Sequence, residues 1–254
     1  MLFVLSPAKT LDLTPVSDVP FTRPMFSKDV AELAEVTRKL SRGDLRRLMD
    51  ISDTLASLNV DRFRDFTPRA RKGVQAAFAF AGDVYEGLRA RELDGDALEY
   101  AQAHLRILSG MYGLLRPLDC IQPYRLEMGV RLKTARGATL YDFWGDRVAK
   151  ALTKEASGHA DPTLVNLASQ EYFGVVDARA LKLPVLNCSF KDEKDGQARV
   201  LAFFAKKARG AMARFAIDQR LDRAEGLKDF TGMGYRYRNA LSSDREWVFV
   251  RPQP

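Results

Sequence analysis

The chain has 254 residues, 46% of them apolar, and carries 40 Lys and Arg against 33 Asp and Glu, for a net charge of +7. That length suits one large α/β domain with a sizeable core, and with no apolar run of about 18 residues no transmembrane helix is expected. Two isolated cysteines (Cys120, Cys188) and two isolated histidines (His104, His159) make no cluster of three or four metal ligands. No metal site and no cofactor are therefore expected, and a reduced, cytoplasmic setting is.

Leu2–Leu5 runs straight into Ser6-Pro-Ala-Lys9 without a charged leader, and reads as a buried first strand rather than a signal peptide. Residues 12–26 hold Pro15, Pro20 and Pro24 and read as an extended connection. Helical spacing dominates residues 27–104. Ser27 caps a run through Val30, Leu33, Ala34, Val36 and Leu40. Residues 45–58 read as a hairpin of two helices. Thr67-Pro68 opens a further helix with Val74, Ala77, Phe78 and Ala81 on its face, and Asp94 to His104 leads helically into a strand at Leu105.

Residues 109–145 hold five glycines, Pro117 and Pro123, and the aromatics Tyr112, Tyr124, Tyr141, Phe143 and Trp144. This predicts an ordered, irregular stretch wrapped over a site. A helix follows from Trp144-Gly145-Asp146 toward His159, then a strand at 163–167. Residues 184–190 and 200–203 read as a hairpin or a strand-loop-strand unit, with Asp195-Gly196 as the turn signal. A long helix runs from about Phe203 to Leu221, and residues 235–238 and 247–250 form a second hairpin. No repeat or linker divides the chain. The predicted class is α/β: a single compact domain over 1–254 with a mixed sheet, a helical insertion at 27–104 and a helix-hairpin-helix-like element.

Three apolar runs end in small polar loops. Leu2–Leu5 precedes Ser6 and Lys9; 105–108 precedes Ser109, Tyr112 and Arg116; Leu164-Val165 precedes Asn166, Ser169 and Glu171. Open α/β sheets hold ligands at the carboxyl ends of their parallel strands, so three adjacent runs would gather these residues into one polar pocket with Tyr124, Arg125 and Glu127. Arg116 and Arg125 suit bidentate contact with phosphate or carboxylate. Glu127 and Glu171, buried, suit acid–base work, and Lys9 suits an anion or, desolvated, a nucleophilic role. These last three are the candidate catalytic residues. The plainer reading is a structural polar network.

Basic residues cluster at 42–47, 62–72 and 206–223, the electrostatic footprint of a polyanion. The 45–58 hairpin has the apolar spacing of a helix-hairpin-helix, with Ala56 at the helix crossing. Its turn reads Asp50-Ile51-Ser52 where Gly-Ile-Gly is usual. Turn amides and a helix N-terminus would meet phosphate there; Asp50 opposes this, and Arg46, Arg47, Arg62 and Arg64 offset it. Lys206, Arg209 and Arg214 share a helix face. Gly210 in mid-helix costs about 1 kcal/mol relative to Ala, which points to another backbone or a ligand coming close. An ordinary helical hairpin and a solvated helix face are the alternatives.

The strings Ser6-Pro-Ala-Lys-Thr-Leu11, Leu108-Ser-Gly-Met-Tyr-Gly-Leu-Leu-Arg-Pro-Leu-Asp119, Pro123-Tyr-Arg-Leu-Glu-Met-Gly129, Leu140-Tyr-Asp-Phe-Trp144, Asn166-Leu-Ala-Ser-Gln-Glu-Tyr172 and Lys206-Lys-Ala-Arg-Gly-Ala-Met-Ala-Arg-Phe215 strongly resemble the YaaA family of bacterial peroxide-stress proteins, essentially end to end. The resemblance implies a cytosolic protein that protects against hydrogen peroxide by limiting free iron and DNA damage. It also implies a compact α/β body whose helix-hairpin-helix element and basic cleft bind duplex DNA, with the hairpin falling on residues 45–58.

Three readings follow. One is a DNA-binding stress protein, largely indifferent to sequence, holding phosphates with Arg46, Arg47, Lys206, Arg209 and Arg214. The second is an enzyme acting on a nucleotide or damaged base, stacked on Tyr112, Tyr124 or Trp144 with Arg116 and Arg125 on phosphate. The third is a module that senses a small anionic ligand in the pocket. Convergence of Ser6, Ser109 and Glu171 separates the pocket readings from a purely basic surface.

Overall fold

The computed structural model describes residues 1–68 and 72–253. In chain order it begins with β1 (Leu2–Leu5), β2 (Thr10–Leu11), α1 (Ser27–Thr37), α2 (Arg42–Met49), α3 (Asp53–Asp65), β3 (Val74–Gln75), α4 (Ala76–Ala79), β4 (Phe80–Ala81) and α5 (Asp83–Leu88). It continues with α6 (Gly95–His104), β5 (Leu105–Ser109), β6 (Gly113–Leu115), β7 (Cys120–Ile121), α7 (Leu140–Trp144), α8 (Arg147–Ala156), β8 (Leu164–Asn166) and α9 (Gln170–Phe173). The last elements are β9 (Val185–Lys194), β10 (Gln197–Arg199), α10 (Ala202–Asp218), β11 (Arg236–Tyr237) and β12 (Glu246–Pro252).

One mixed sheet of eight strands forms the centre, in the order β11-β12-β9-β8-β1-β5-β6 with β10 on β9. β8, β1 and β5 are parallel neighbours, so the three apolar runs do lie side by side. β1 and β5 are buried at every position, as parallel strands covered on both faces must be. β9 instead alternates buried and half-buried residues through Leu186, Cys188, Phe190 and Asp192, the period of a strand with one face on the core. The fold is therefore the single mixed α/β domain expected, with helices dominating 27–104.

Two expectations change. Val74, Ala77, Phe78 and Ala81 do not share a helix face: β3 pairs with β7, β4 pairs with β2, and only the single turn α4 lies between. Residues 74–80 are all buried, and an apolar run buried on every side carries no period to distinguish helix from strand. The remainder of that predicted helix, residues 69–71, lies outside the described residues. The Asp195-Gly196 turn forms, with φ of 52° and 74°, the two positive values of a tight hairpin turn. That turn fixes Lys194 opposite Gln197, so the return strand is 197–199 rather than 200–203, and α10 begins at Ala202.

α5 and α10 cross closely enough to need glycine on both. A Cβ on Gly210 would sit 1.7 Å from the Val84 carbonyl oxygen, and one on Gly87 would sit 2.1 Å from that of Lys207. The backbone anticipated beside Gly210 is thus α5. Gly110 does the same beyond β5, where a Cβ would lie 2.2 Å from the Leu126 carbonyl oxygen. The 123–129 segment therefore packs directly on the strand-end loop, and the 109–145 stretch is ordered around buried Tyr112, Tyr124, Phe143 and Trp144.

The N-terminus is tied into the fold. The Met1 ammonium lies 3.3 Å from His159 Nδ1 and donates to the Asp222 carbonyl, and His104 Nδ1 meets the Met1 carbonyl at 2.9 Å. Burial, then the Met1 ammonium and His104, lower His159 to about 4, while Asp161 and Asp222 are the carboxylates facing the ammonium. A histidine held neutral when folded takes up a proton near 6.5 once unfolded, so stability is full above that pH and falls as pH drops toward about 4. Thermal melts should show a falling Tm across that window, with a shallower fall in His159→Gln.

Candidate functional site

At the carboxyl ends of β1 and β8 the two loops lock together. The Ser169 backbone N–H donates to Ser6 Oγ at 2.9 Å, the two hydroxyl oxygens are 3.3 Å apart, and Tyr85 Oη donates to the Ser6 carbonyl. Ser169 caps α9 by accepting from the Tyr172 N–H, which sets Glu171 at the rim. Glu171 Oε1 accepts from the Gly129 N–H at 3.0 Å, joining the β8 loop to the 123–129 segment.

Glu127 is the centre of charge. Its side chain is 10% exposed, and Oε1 receives Lys9 Nζ at 3.3 Å and Arg125 at 2.9 Å. The other oxygen, Oε2, is shut off from solvent without a hydrogen-bond partner. Lys9 Nζ belongs to an exposed side chain, so its ammonium bridges buried carboxylate and open cleft. Half-buried Arg62 on α3 lies close enough to Arg125 that desolvation and then this like charge hold its guanidinium below the usual range.

The openings around these groups meet at Lys9. One, of about 520 Å³, is lined by Lys9, Glu127, Glu171, Arg131 and, from the α2–α3 hairpin, Arg47 and Asp50. The other, of about 480 Å³, is lined by Ser6, Lys9, Ser169, Tyr85 and, from α10, Lys206 and Arg209. A narrow recess holding Tyr124, Arg125 and Glu127 adjoins both. The cleft thus runs from the helical hairpin, past the strand-end loops, to the basic helix.

The hairpin turn forms without glycine. Ser41 and Asp44 make a capping box at α2, Ser52 caps α3, and Ala56 is fully buried. Asp50 occupies the left-handed conformation at φ 49°, which a short polar side chain tolerates better than most. Its arginines are paired locally: Arg46 with Asp53 at 3.4 Å, Arg47 with Asp44 at 2.6 Å.

Ser6, Lys9, Tyr124, Arg125, Glu127, Ser169 and Glu171 are brought together as expected, and Arg47, Lys206 and Arg209 join them. Ser109 lies behind the cleft, fully buried and 2.6 Å from Tyr124 Oη. Tyr112 is spent on the fold, its hydroxyl accepting from the Gln122 N–H. Trp144 is fully buried and donates to the Gly110 carbonyl, so neither ring is free to stack a base. Asn166 ties β8 to Asn187 and to the Ala168 N–H. Arg116 points elsewhere, to buried Asp119 in a separate cavity with Arg106 and Glu155. Arg214 pairs with Asp218 at 2.7 Å and lies in another recess with Glu86 and Phe230. The sequence reading missed Arg131, Tyr85 and Asp83, which no local pattern singles out.

These features define a class: an α/β protein with a polar cleft at the carboxyl edge of its parallel strands, flanked by a helical hairpin and a basic helix. The family model described as "Peroxide stress protein YaaA" matches residues 1–241, and the chain belongs to that family. It is 63% identical over 255 residues to a UPF0246 protein of Caulobacter vibrioides (strain NA1000 / CB15N), covering 100% of both chains. It is 64% identical to one of Caulobacter sp. (strain K31), again over 100% of both, and 52% identical to one of Ruegeria pomeroyi, over 99% of both.

Neither cysteine sits in a setting that activates a thiol. A reactive thiol needs a lowered pKa, whereas burial pushes Cys188 up to about 12 and raises Cys120 as well. Alkylation of the folded protein at neutral pH should leave Cys188 unmodified until denaturant is added; rapid labelling would contradict its burial. No helix of the described residues is long and apolar enough to cross a membrane.

Proposed function

We propose that the protein binds duplex DNA along this cleft, largely independently of sequence, and that it limits DNA damage during peroxide stress in the cytoplasm by doing so. The carrying observation is that Lys9 lines both of the openings at the strand ends, so that Arg47 on the hairpin and Lys206 and Arg209 on α10 border one path that meets at Lys9. Lys and Arg spaced along a path suit a phosphate backbone, whose contacts supply most non-specific affinity. Asp50, Glu127, Glu171 and Asp83 lie on the same path and confine phosphate to the stretches between them. Lower free iron is an indirect consequence in this reading, since among the described residues no group of three or more His, Cys, Asp or Glu is placed to hold a metal.

Fluorescence anisotropy with a labelled duplex tests it. Arg47→Glu and Lys206→Glu should each weaken binding about tenfold, a loss of about 1.4 kcal/mol, and Asp50→Asn should tighten it. Arg214→Glu, outside the cleft, should bind as the wild type does. Equal losses at Arg214 and Lys206 would overturn the assignment of the path.

A second reading, an enzyme acting on a nucleotide or damaged base, is favoured by the buried Glu127 carboxylate beside the Lys9 ammonium. Tyr124 is buried like Tyr112 and Trp144, so none of the three aromatics first considered offers a free face to a base.

A further inference from the structure

A cavity of about 670 Å³ lies apart from the cleft, bordered by α6, the 18–20 segment, the β6–β7 connection and α8, and shares no lining residue with the two openings at the strand ends. Val19, Pro20, Leu93, Leu98, Ala103 and Leu118 give it apolar walls. That size, with apolar walls and a few polar groups, is the make-up of a small-molecule pocket, and apolar walls left open to water favour an occupant.

The polar groups say what the occupant carries. Arg106 is buried and committed: its Nε and Nη2 donate to Glu155 Oε2 and its Nη1 to the Gln102 and Leu105 carbonyls. Arg116 donates through Nη2 to Asp119 and to the Arg23 carbonyl. Gln102 is spent on the Leu118 N–H and the Thr22 hydroxyl. Glu155 Oε1 and Arg116 Nη1 are left without a hydrogen-bond partner among the described residues. Neither side chain is sealed off, at 21% and 30% exposed, so a ligand in the cavity reaches both. Burial, with the like charge of Arg116 adding to it, holds Arg106 below its usual range against the pull of Glu155. Glu155 and Arg116 are thus both within electrostatic reach of Arg106, at one end of the cavity.

Charge at that end is balanced. Two guanidiniums face two carboxylates, Glu155 and Asp119, so a charged ligand would leave one charge uncompensated in a desolvated site. Asp18 and Glu99, both exposed, border the same cavity and oppose an anion further. One open acceptor beside one open donor fits a neutral head that donates and accepts at once, as an amide does.

We propose that this cavity binds a small neutral carboxamide or lactam with an apolar body. The amide N–H donates to Glu155 Oε1, the amide oxygen accepts from Arg116 Nη1, and the body lies against Leu93, Leu98 and Leu118. The site is independent of the DNA path and stands whether or not duplex binds.

Three probes built on one naphthalene ring test it by calorimetric titration of the full chain: the carboxamide, the carboxylate and the aminomethyl cation. The carboxamide should bind about tenfold more tightly than either charged analogue, the scale of one uncompensated polar group. Leu98→Trp on α6 and Leu93→Trp just before it fill the cavity from two positions. Each should remove carboxamide binding and leave duplex affinity unchanged, with thermal melts confirming which variants fold. Saturating duplex should not displace the carboxamide. A carboxylate or cation that binds as tightly as the carboxamide overturns the neutral head. Carboxamide binding that survives in a folded Trp variant, or is displaced by duplex, overturns the location, and no carboxamide binding at millimolar concentration overturns the site.

Discussion

Gly210→Val is expected to destabilise the protein by about 3 kcal/mol or more, the upper range for overpacking a tight interior. The α5–α10 crossing leaves no room: a Cβ alone would lie 1.7 Å from the Val84 carbonyl oxygen, 2.7 Å from the Val84 carbonyl carbon and 2.9 Å from the Leu88 nitrogen. These are backbone atoms, so relief requires moving one helix away from the other. For a chain of this size about 3 kcal/mol corresponds to a fall in Tm of roughly 6–12 °C. Arg209 precedes the crossing and Asp83 and Tyr85 lie on α5, so separation also disturbs the 480 Å³ opening. Calorimetry should show the Tm loss, and the folded fraction should bind duplex more weakly. Gly158→Val, at a position where a Cβ meets nothing within 4 Å, should change Tm little. Equal stability of the two variants would refute the close crossing.

Asp192→Ala should cost about 3–5 kcal/mol, the range for removing one partner of a buried ion pair. Asp192 is buried on β9; its Oδ1 accepts from Arg251 Nε at 2.6 Å and its Oδ2 from Tyr235 Oη at 3.0 Å. Arg251 also donates to the Met233 carbonyl and lies over the rings of Phe204 and Tyr235 at 4.3 and 4.7 Å. Removing the carboxylate leaves a buried guanidinium and hydroxyl unsatisfied where β9, β12 and the start of α10 meet. Urea unfolding should report the loss, and Arg251→Met in the same background should recover part of it because the uncompensated charge is then gone. A loss below about 1 kcal/mol would mean that the pair is effectively solvated.

What the sequence makes legible follows from which interactions are local. Apolar runs ending in Ser and Lys mark strand ends, and Asp195-Gly196 marks a turn, because backbone conformation there depends on the residues themselves. Ser6 and Ser169 were readable as one site because parallel neighbours bring their carboxyl ends together. Arg116 and Arg214 looked equivalent to Arg125 and Arg209 in the chain. Arg116 and Arg214 are each claimed by a carboxylate only three or four residues further along the chain, Asp119 for one and Asp218 for the other, a local pairing signal that the sequence carries; Arg125 is paired as well, but with a Glu127 that the fold sets at the cleft. Tyr112 and Trp144 suggested stacking surfaces, yet aromatic rings are also the largest core fillers, and here they fill the core. The hairpin shows the converse: its turn lacks glycine, and Asp50 still adopts the left-handed conformation.

The central claim is that backbone phosphates are held by cations along one cleft, and the salt dependence of duplex binding tests it most directly. Each phosphate neutralised contributes roughly 0.9 to the slope of log affinity against log salt. With Lys9, Arg47, Arg131, Lys206 and Arg209 bordering the cleft, and some of their charge offset by neighbouring carboxylates, a slope of about −2 to −4 is predicted. It should become shallower by about 1 in Lys206→Gln. A slope near zero, or no duplex binding even at low salt, would contradict the account.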